Sequence, residues 1–328
     1  MKNIHIKNVM FCLILISIIG CNKDPLSNKL QTDGWNIISD INEGMNTIFF
    51  LDTKNGWAVG DNGKIKVTRD GGFRWSNQNS VTDTRLVSVY FVDNQTGFAS
   101  GFNNTLIYTK NKGDTWQSIT VVSDSASVYS SLNSDNDNNL YFISNYGEIF
   151  YSINLGQDWN SKYRFNNWGY SYLYFPNNTF GFAMQFAGNE IKKTTDGGNT
   201  WNTYQIPSQW TGDIYFLNEN YGWVTENWAP SSMIHDSVTV YMTTNGGETW
   251  VRQSSLPGLT LDNIVFVDSL EGWVSKITKI YHTSDSGKSW IYQFETEDIG
   301  FIKDIFFLDN RNGWALTSQG KIIKYIAR

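Results

Sequence analysis

Six copies of a short phrase ending in Gly-x-x-Trp divide this chain into units of about forty residues. Thr68-Arg69-Asp70-Gly71-Gly72-Phe73-Arg74-Trp75 is the first. Thr194-Thr195-Asp196-Gly197-Gly198-Asn199-Thr200-Trp201 is the cleanest, and the others end at Trp116, Trp159, Trp250 and Trp290. Successive tryptophans stand 41, 43, 42, 49 and 40 residues apart. A fixed period of this length means one supersecondary unit copied around an axis or along a line. Each unit is too small to bury its apolar face alone and must stack on its neighbours.

A second element recurs in the same order: Gly56-Trp57, Gly97-Phe98, Gly181-Phe182, Gly222-Trp223, Gly272-Trp273 and Gly313-Trp314. The third copy is degenerate and reads Asn139-Leu140-Tyr141. Apolar runs precede these steps, among them Ile48–Leu51, Val89–Val92, Ile264–Val267 and Ile305–Leu308, each followed by Asp. Short runs of β-branched and aromatic residues between Asp, Asn and Gly turns read as strands buried on both faces. Each unit then holds four strands. Strand A is the apolar run, B starts at the Gly-aromatic step, C enters the Asp/Asn-x-Gly turn, and D starts near the Trp. With aromatic residues at 16% and charged residues at 17%, this describes an all-β protein: a β-propeller of four-stranded antiparallel blades.

The blade count follows from the ends. Residues 305–325 supply strands A, B and C and then the chain stops, while Thr32-Asp33-Gly34-Trp35 places a Trp forty residues before Trp75, in register with the series. The N-terminal strand is therefore expected to complete the last blade, giving seven blades and removing the exposed edges of an open sheet. Six or eight would require misreading the degenerate third copy or the termini.

The first residues are a separate object. Lys2 and Lys7 precede an apolar stretch from Val9 to Ile19 that ends at Gly20-Cys21, the pattern of a secretory signal peptide and too short for a membrane span. Small Gly20 before Cys21 resembles the bacterial lipobox. That resemblance implies cleavage after residue 20, a diacylated Cys21, a tether over 21–30 and a propeller over 31–328, lipid-anchored to the cell envelope at the outer membrane, periplasmic or surface-facing. Two acyl chains are what stable anchoring needs. Past Cys21 there is no cysteine, so disulfides and cysteine-held metals are excluded. The formal charge of −6, and −8 without Lys2 and Lys7, argues against nucleic acid and leaves the lipid as the only membrane attachment. His5, His235 and His282 are too separated to make a metal site. No metal and no cofactor is expected, and the protein is expected to be a monomer.

The phrase Ser/Thr-x-Asp/Asn-x-Gly-x-x-Trp has a local logic. The Asp or Asn side chain accepts N–H bonds within its own turn, Gly supplies positive φ, and Trp packs back over the hairpin. These residues resemble the Asp-box, or BNR repeat, of sialidases and sortilin-like receptors. The longer pattern from Ile48 to Trp75 resembles more closely the photosystem II assembly factor family of the Ycf48 type. The resemblance covers roughly residues 30–328. It implies that Asp70, Asn154, Asp196, Asn245 and Asp285, with Trp75, Trp116, Trp159, Trp201, Trp250 and Trp290, are structural and lie at C–D hairpins away from the usual binding face. Members of that family acting in the photosystem are thought to present a basic patch, whereas this chain is acidic.

In such propellers the B–C loops and D–A connections open onto the same face around the channel. Phe102, Tyr146 and Phe186 lie in B–C loops, and Trp168 and Trp210 in connections to the fourth and fifth blades. The fifth copy has its extra length between Val224 and Val238, around Trp228. These aromatics are candidates for gripping a protein loop or stacking on a glycan; the alternative is that they fill space between blades. The expected function is a non-catalytic binding or assembly scaffold. The competing reading is a sialidase-like glycoside hydrolase using top-face carboxylates, with Asp61, Glu148, Glu190 and Glu226 near B–C loops. Against it, the Phe-Arg-Ile-Pro-like segment of sialidases is absent from the chain.

Overall fold

The computed structural model describes residues 34–42, 44–121, 127–186, 188–208, 210–226, 237–257 and 261–327. Residues 1–33, with Cys21, and the fifth-copy insertion with Trp228 and His235 lie outside them. The described residues form seven four-stranded antiparallel sheets. Blade 1 is Met45–Phe50, Gly56–Gly60, Ile65–Thr68 and Ser76–Gln78. Blade 2 is Leu86–Phe91, Gly97–Gly101, Leu106–Thr109 and Gln117–Ser118, and blade 3 is Tyr129–Ser134, Leu140–Ser144, Glu148–Ser152 and Asn160–Arg164. Blade 4 is Tyr170–Tyr174, Gly181–Gln185, Glu190–Thr194 and Asn202–Gln205, and blade 5 is Thr211–Phe216, Gly222–Glu226, Ser237–Thr243 and Val251–Pro257. Blade 6 is Asn263–Phe266, Gly272–Lys276, Lys279–Thr283 and Ile291–Glu295. In blade 7, Ile302–Asp309, Asn312–Thr317 and Lys321–Ile326 are completed by the N-terminal strand Trp35–Asp40, whose register runs from Trp35 opposite Tyr325 to Asp40 opposite Lys321. The fold is the seven-bladed ring expected from the repeat.

One expectation needs correction. The apolar A runs are not buried on both faces: in blades 1, 2 and 5 they alternate between buried and part-exposed residues, while strand B of blades 1, 2 and 3 is buried throughout. Strand A is innermost, beside the A strands of neighbouring blades, so one of its faces looks into the channel. Strand B has a blade on either side and no solvent to face.

A repeated aromatic seam joins the blades. The strand-B aromatic of one blade stacks on the Phe ending strand A of the next. Trp57 lies on Phe91 (ring centroids 3.5 Å apart), Phe182 on Phe216 and Trp223 on Phe266 (3.7 Å each), and Trp314 on Phe50 (3.8 Å). The repeat Trp then meets that Phe edge-on, as in Trp75–Phe50, Trp116–Phe91 and Trp250–Phe216 at 6.0 Å. This arrangement suits the ring quadrupoles and buries large apolar area. It also explains the glycine of the Gly-aromatic step. A Cβ on Gly56, Gly97, Gly181, Gly222, Gly272 or Gly313 would stand 2.3 to 2.6 Å from a carbon of its own blade's Phe ring.

Blade 3 inverts the pair. Ser134 occupies the Phe position and pairs with Leu140 at the Gly position. Leu140 is fully buried, and Phe142 fills volume where four other blades carry Ala58, Ala99, Ala183 or Ala315. The degenerate third copy is thus a large-small exchange across one strand pair, which keeps the core filled.

Candidate functional site

Each repeat turn closes on itself. In the turn ending at Trp201, Thr194 Oγ1 donates to Asp196 Oδ1 (2.8 Å), Gly198 N donates to Thr194 Oγ1 (2.8 Å), and the N–H groups of Asn199 and Thr200 donate to Asp196 Oδ1 at 3.0 and 2.9 Å. Hydrogen bonds from Thr200 hold the Asp196 carboxyl down at about 2. Asp70, Asn154, Asn245 and Asp285 accept N–H bonds four residues on in the same way. So does Asn111 in the second copy, which the sequence reading passed over. These turns are tied to A–B turns: Gly71 N donates to Lys54 O (2.9 Å) and Gly197 N to Thr179 O (2.7 Å). They form the bottom face.

The opposite end is built by B–C loops bonded to D–A connections. Phe102 N donates to Arg85 O (3.0 Å), Gly169 N to Asn145 O (2.6 Å) and Phe186 N to Gly169 O (2.8 Å). On this top face the described candidates are all exposed: Trp168 at 76%, Phe186 at 69%, Tyr146 at 41%, Trp210 at 38% and Phe102 at 37%. Trp168 and Phe186 are largely solvent-facing, whereas Phe102, Tyr146 and Trp210 are more than half covered. Phe102 and Phe186 line a cavity of about 840 Å³ at the channel mouth, whereas Tyr146, Trp168 and Trp210 lie outside its wall. Trp228 is outside the described residues.

The wall of this cup comes from strand A. Irregular register near the start of strand A in blades 1, 2, 4, 5 and 7 falls at one repeat position, occupied in chain order by Thr47, Ser88, Ser131, Tyr172, Asp213, Asn263 and Asp304. All seven are polar, and all but Thr47 line the cavity, with Asp262 beside them. Two residues on, Phe49, Tyr90, Tyr174, Tyr215 and Phe306 follow by strand alternation. Phe49 packs on Tyr90 at 5.2 Å and on Phe306 at 5.5 Å, giving the channel an aromatic collar below the polar ring. Burial pushes the hydroxyls of Tyr90, Tyr174 and Tyr215 up, keeping them neutral.

The channel carboxylates were missed by sequence reasoning. Burial pushes Asp213 up to about 7 and raises Asp304, while N–H donors oppose the shift and neighbouring Asp charges add to that of Asp213. Asp213 Oδ2 accepts from Ile264 N (2.9 Å) and its Oδ1 from Ile214 N (2.9 Å). Asp304 Oδ2 accepts from Thr47 Oγ1 (2.7 Å) and Ile48 N (2.8 Å). Each therefore stitches its blade to the next one, 5 to 6 and 7 to 1.

The loop acids singled out from sequence are engaged differently. Asp61 pairs with Arg85 at 3.1 Å, Glu190 pairs with Lys192 at 2.9 Å and is held low by it, and Glu226 accepts from Ser208. Glu148 is part-exposed beside the third B–C turn, and its N–H is bonded to Ser144 Oγ. His282 lies 2.5 Å from Glu271 and against Trp273. Among the described residues, no three His, Cys, Asp or Glu side chains gather in a metal-holding group.

Fold and repeat turns together define a seven-bladed Asp-box, or BNR-repeat, β-propeller. A family model described as photosynthesis system II assembly factor YCF48 matches residues 27–167. Over that stretch the chain is similar to the YCF48 family, and solved propellers share its fold along most of its length. One of these, "YCF48 bound to D1 peptide", superposes with a TM-score of 0.76 at 18% identity, covering 91% of this chain and 99% of that one. YCF48 from Cyanidioschyzon merolae gives 0.73 at 17% identity, covering 89% and 98%. The GH74 xyloglucanase from Xanthomonas campestris gives 0.71 at 12% identity, covering 90% of this chain but 54% of that one. Identities this low establish the shared fold. A comparison with curated proteins found no match.

Proposed function

We propose that this chain is a non-catalytic, exported and lipid-anchored propeller that binds a partner protein through its top face. The observation that carries the reading is the set of exposed aromatics on the B–C loops and D–A connections, around a cup walled by a closed ring. Solvent-facing Trp and Phe on a rigid scaffold are costly to leave bare and are typical of binding hot spots. The peptide-bound YCF48 structure supports a protein ligand for a propeller of this shape. The glycoside hydrolase reading is weakened by the engaged loop acids and by channel carboxylates committed to backbone N–H groups. The match to the family model and the Gly20-Cys21 junction support the scaffold and the anchor respectively.

The test is capture from envelope extract by the immobilised full chain, compared with a Phe186→Ser, Trp168→Ser double variant and with Ile153→Ser on the bottom face, and repeated on a glycan array. Ile153 is 74% exposed and serves as the control for a merely apolar surface. Capture lost in the double variant and kept in the control is expected. The reverse pattern refutes the face, and glycan rather than protein capture refutes the partner class. Lipid label incorporated by wild type and absent from Cys21→Ser tests the anchor.

A further inference from the structure

The top face is aromatic at its rim and acidic within, and the two properties together describe its occupant. Phe102 and Phe186 stand on one side of the cup, and Phe301 (52% exposed) with Ile277 (52%) stands on the blade 6–7 side, bordering a second hollow of about 400 Å³ that shares Asp262 with the first. Among the described residues, the larger cavity is lined by three carboxylates, Asp213, Asp262 and Asp304, and by no Lys or Arg. Their bonded donors are backbone N–H groups and one hydroxyl, all neutral.

The hydrogen bonds of the nearest cations go to other groups, although Lys303 lines the smaller hollow and acts electrostatically on Asp304. Lys303 Nζ donates to Met45 O (2.7 Å) and Asn46 Oδ1 (2.8 Å). Arg85 pairs with Asp61 and lies over the Phe102 ring at 5.5 Å. Burial leaves Asp213 and Asp304 readily protonated, and Lys303 acts on Asp304 from the side; a cation entering the cup would favour their ionised forms. Carboxylates in a cup whose mouth carries Phe102 and Phe186 are the surroundings that favour an ammonium or guanidinium group.

We propose, resting on the top-face reading above, that the partner presents an extended segment whose apolar or aromatic side chains lie on the rim and whose Lys or Arg side chain enters the cup toward Asp213, Asp262 and Asp304. Neither half of the arrangement selects a partner alone. The rim supplies contact area, and the cup discriminates by charge, rejecting an acidic residue at the same position.

The test is selection of a phage-displayed random linear dodecapeptide library on the immobilised full chain. It is run in parallel on Asp213→Asn, Asp304→Asn double and Phe186→Ser, Trp168→Ser double variants whose melting is checked by circular dichroism. Asn keeps one carbonyl acceptor at each site for the interblade N–H group while removing the charge; at position 213 the acceptor for Ile214 N is lost, which the melting check gauges. Wild type is expected to enrich peptides with Lys or Arg spaced a few residues from an aromatic. Replacing that basic residue by Gln in a synthetic copy should weaken binding about tenfold or more. The Asn variant should keep the aromatic preference and lose the basic one, and the Ser variant should lose enrichment altogether. Enrichment through the rim with no basic preference, or with an acidic one, overturns the inference and leaves the docking face standing. Absence of any rim-dependent enrichment overturns both.

Discussion

Replacing Gly97 by Ala tests the seam directly. Gly97 is in strand B of blade 2 with an ordinary strand backbone, so conformational strain plays no part, and the exchange would normally favour the strand by about 0.5–1 kcal/mol. The added Cβ would instead meet three ring carbons of Phe91 at 2.4, 2.4 and 2.6 Å. That ring cannot yield easily, because Trp57 is stacked on it at 3.5 Å and Trp116 meets it edge-on at 6.0 Å. Overpacking of this kind costs about 1–3 kcal/mol, so the net effect is destabilisation of roughly 1–2 kcal/mol. Equilibrium unfolding in urea, followed by tryptophan fluorescence, reads this as a lower midpoint at unchanged slope. Gly188→Ala is the control, since its Cβ meets nothing closer than 3.3 Å. A Gly97→Ala protein as stable as wild type would mean that the seam is slack and that the repeat glycine is there for some other reason.

Two further outcomes are expected. In blade 3, Leu140→Gly alone opens a cavity and Ser134→Phe alone overfills the same space, so each should cost about 2–4 kcal/mol. The double variant should cost less than the sum by more than about 1 kcal/mol, and strict additivity in urea melts would refute the exchange. For Asp213, raised to about 7, the folded chain retains a proton that the unfolded chain releases near pH 4. Its contribution to stability is full below that range and falls as pH rises from about 4 to 7, by an amount on the order of a few kcal/mol, and Asp304 acts in the same direction. The wild-type urea midpoint should therefore be higher at pH 5 than at pH 8, with a smaller difference in Asp213→Asn. A midpoint that rises with pH would contradict the assignment.

The architecture was legible because its determinants are local and repeated: a self-bonded turn, a glycine under a ring, and a tryptophan at a fixed offset. Even the odd copy was visible as odd, although Asn139-Leu140-Tyr141 explains itself only when Ser134 is seen opposite Leu140. The rim aromatics could be placed because the repeat says which residues fall in B–C loops. The cup could not. Asp213, Asp262 and Asp304 each look like a polar residue opening a strand, and only closure of the chain around an axis makes them neighbours. Aligning the copies column by column would have raised the signal, since Thr47, Ser88, Ser131 and Asn263 share a polar column with Asp213 and Asp304.

The last blade draws three strands from one end of the chain and one from the other. The ladder between Trp35–Asp40 and Lys321–Ile326 joins residues that are almost the whole sequence apart, the kind of non-local pairing whose loop-closure cost slows folding. A chain truncated at either terminus loses the fastening as a whole rather than a fraction of the ring.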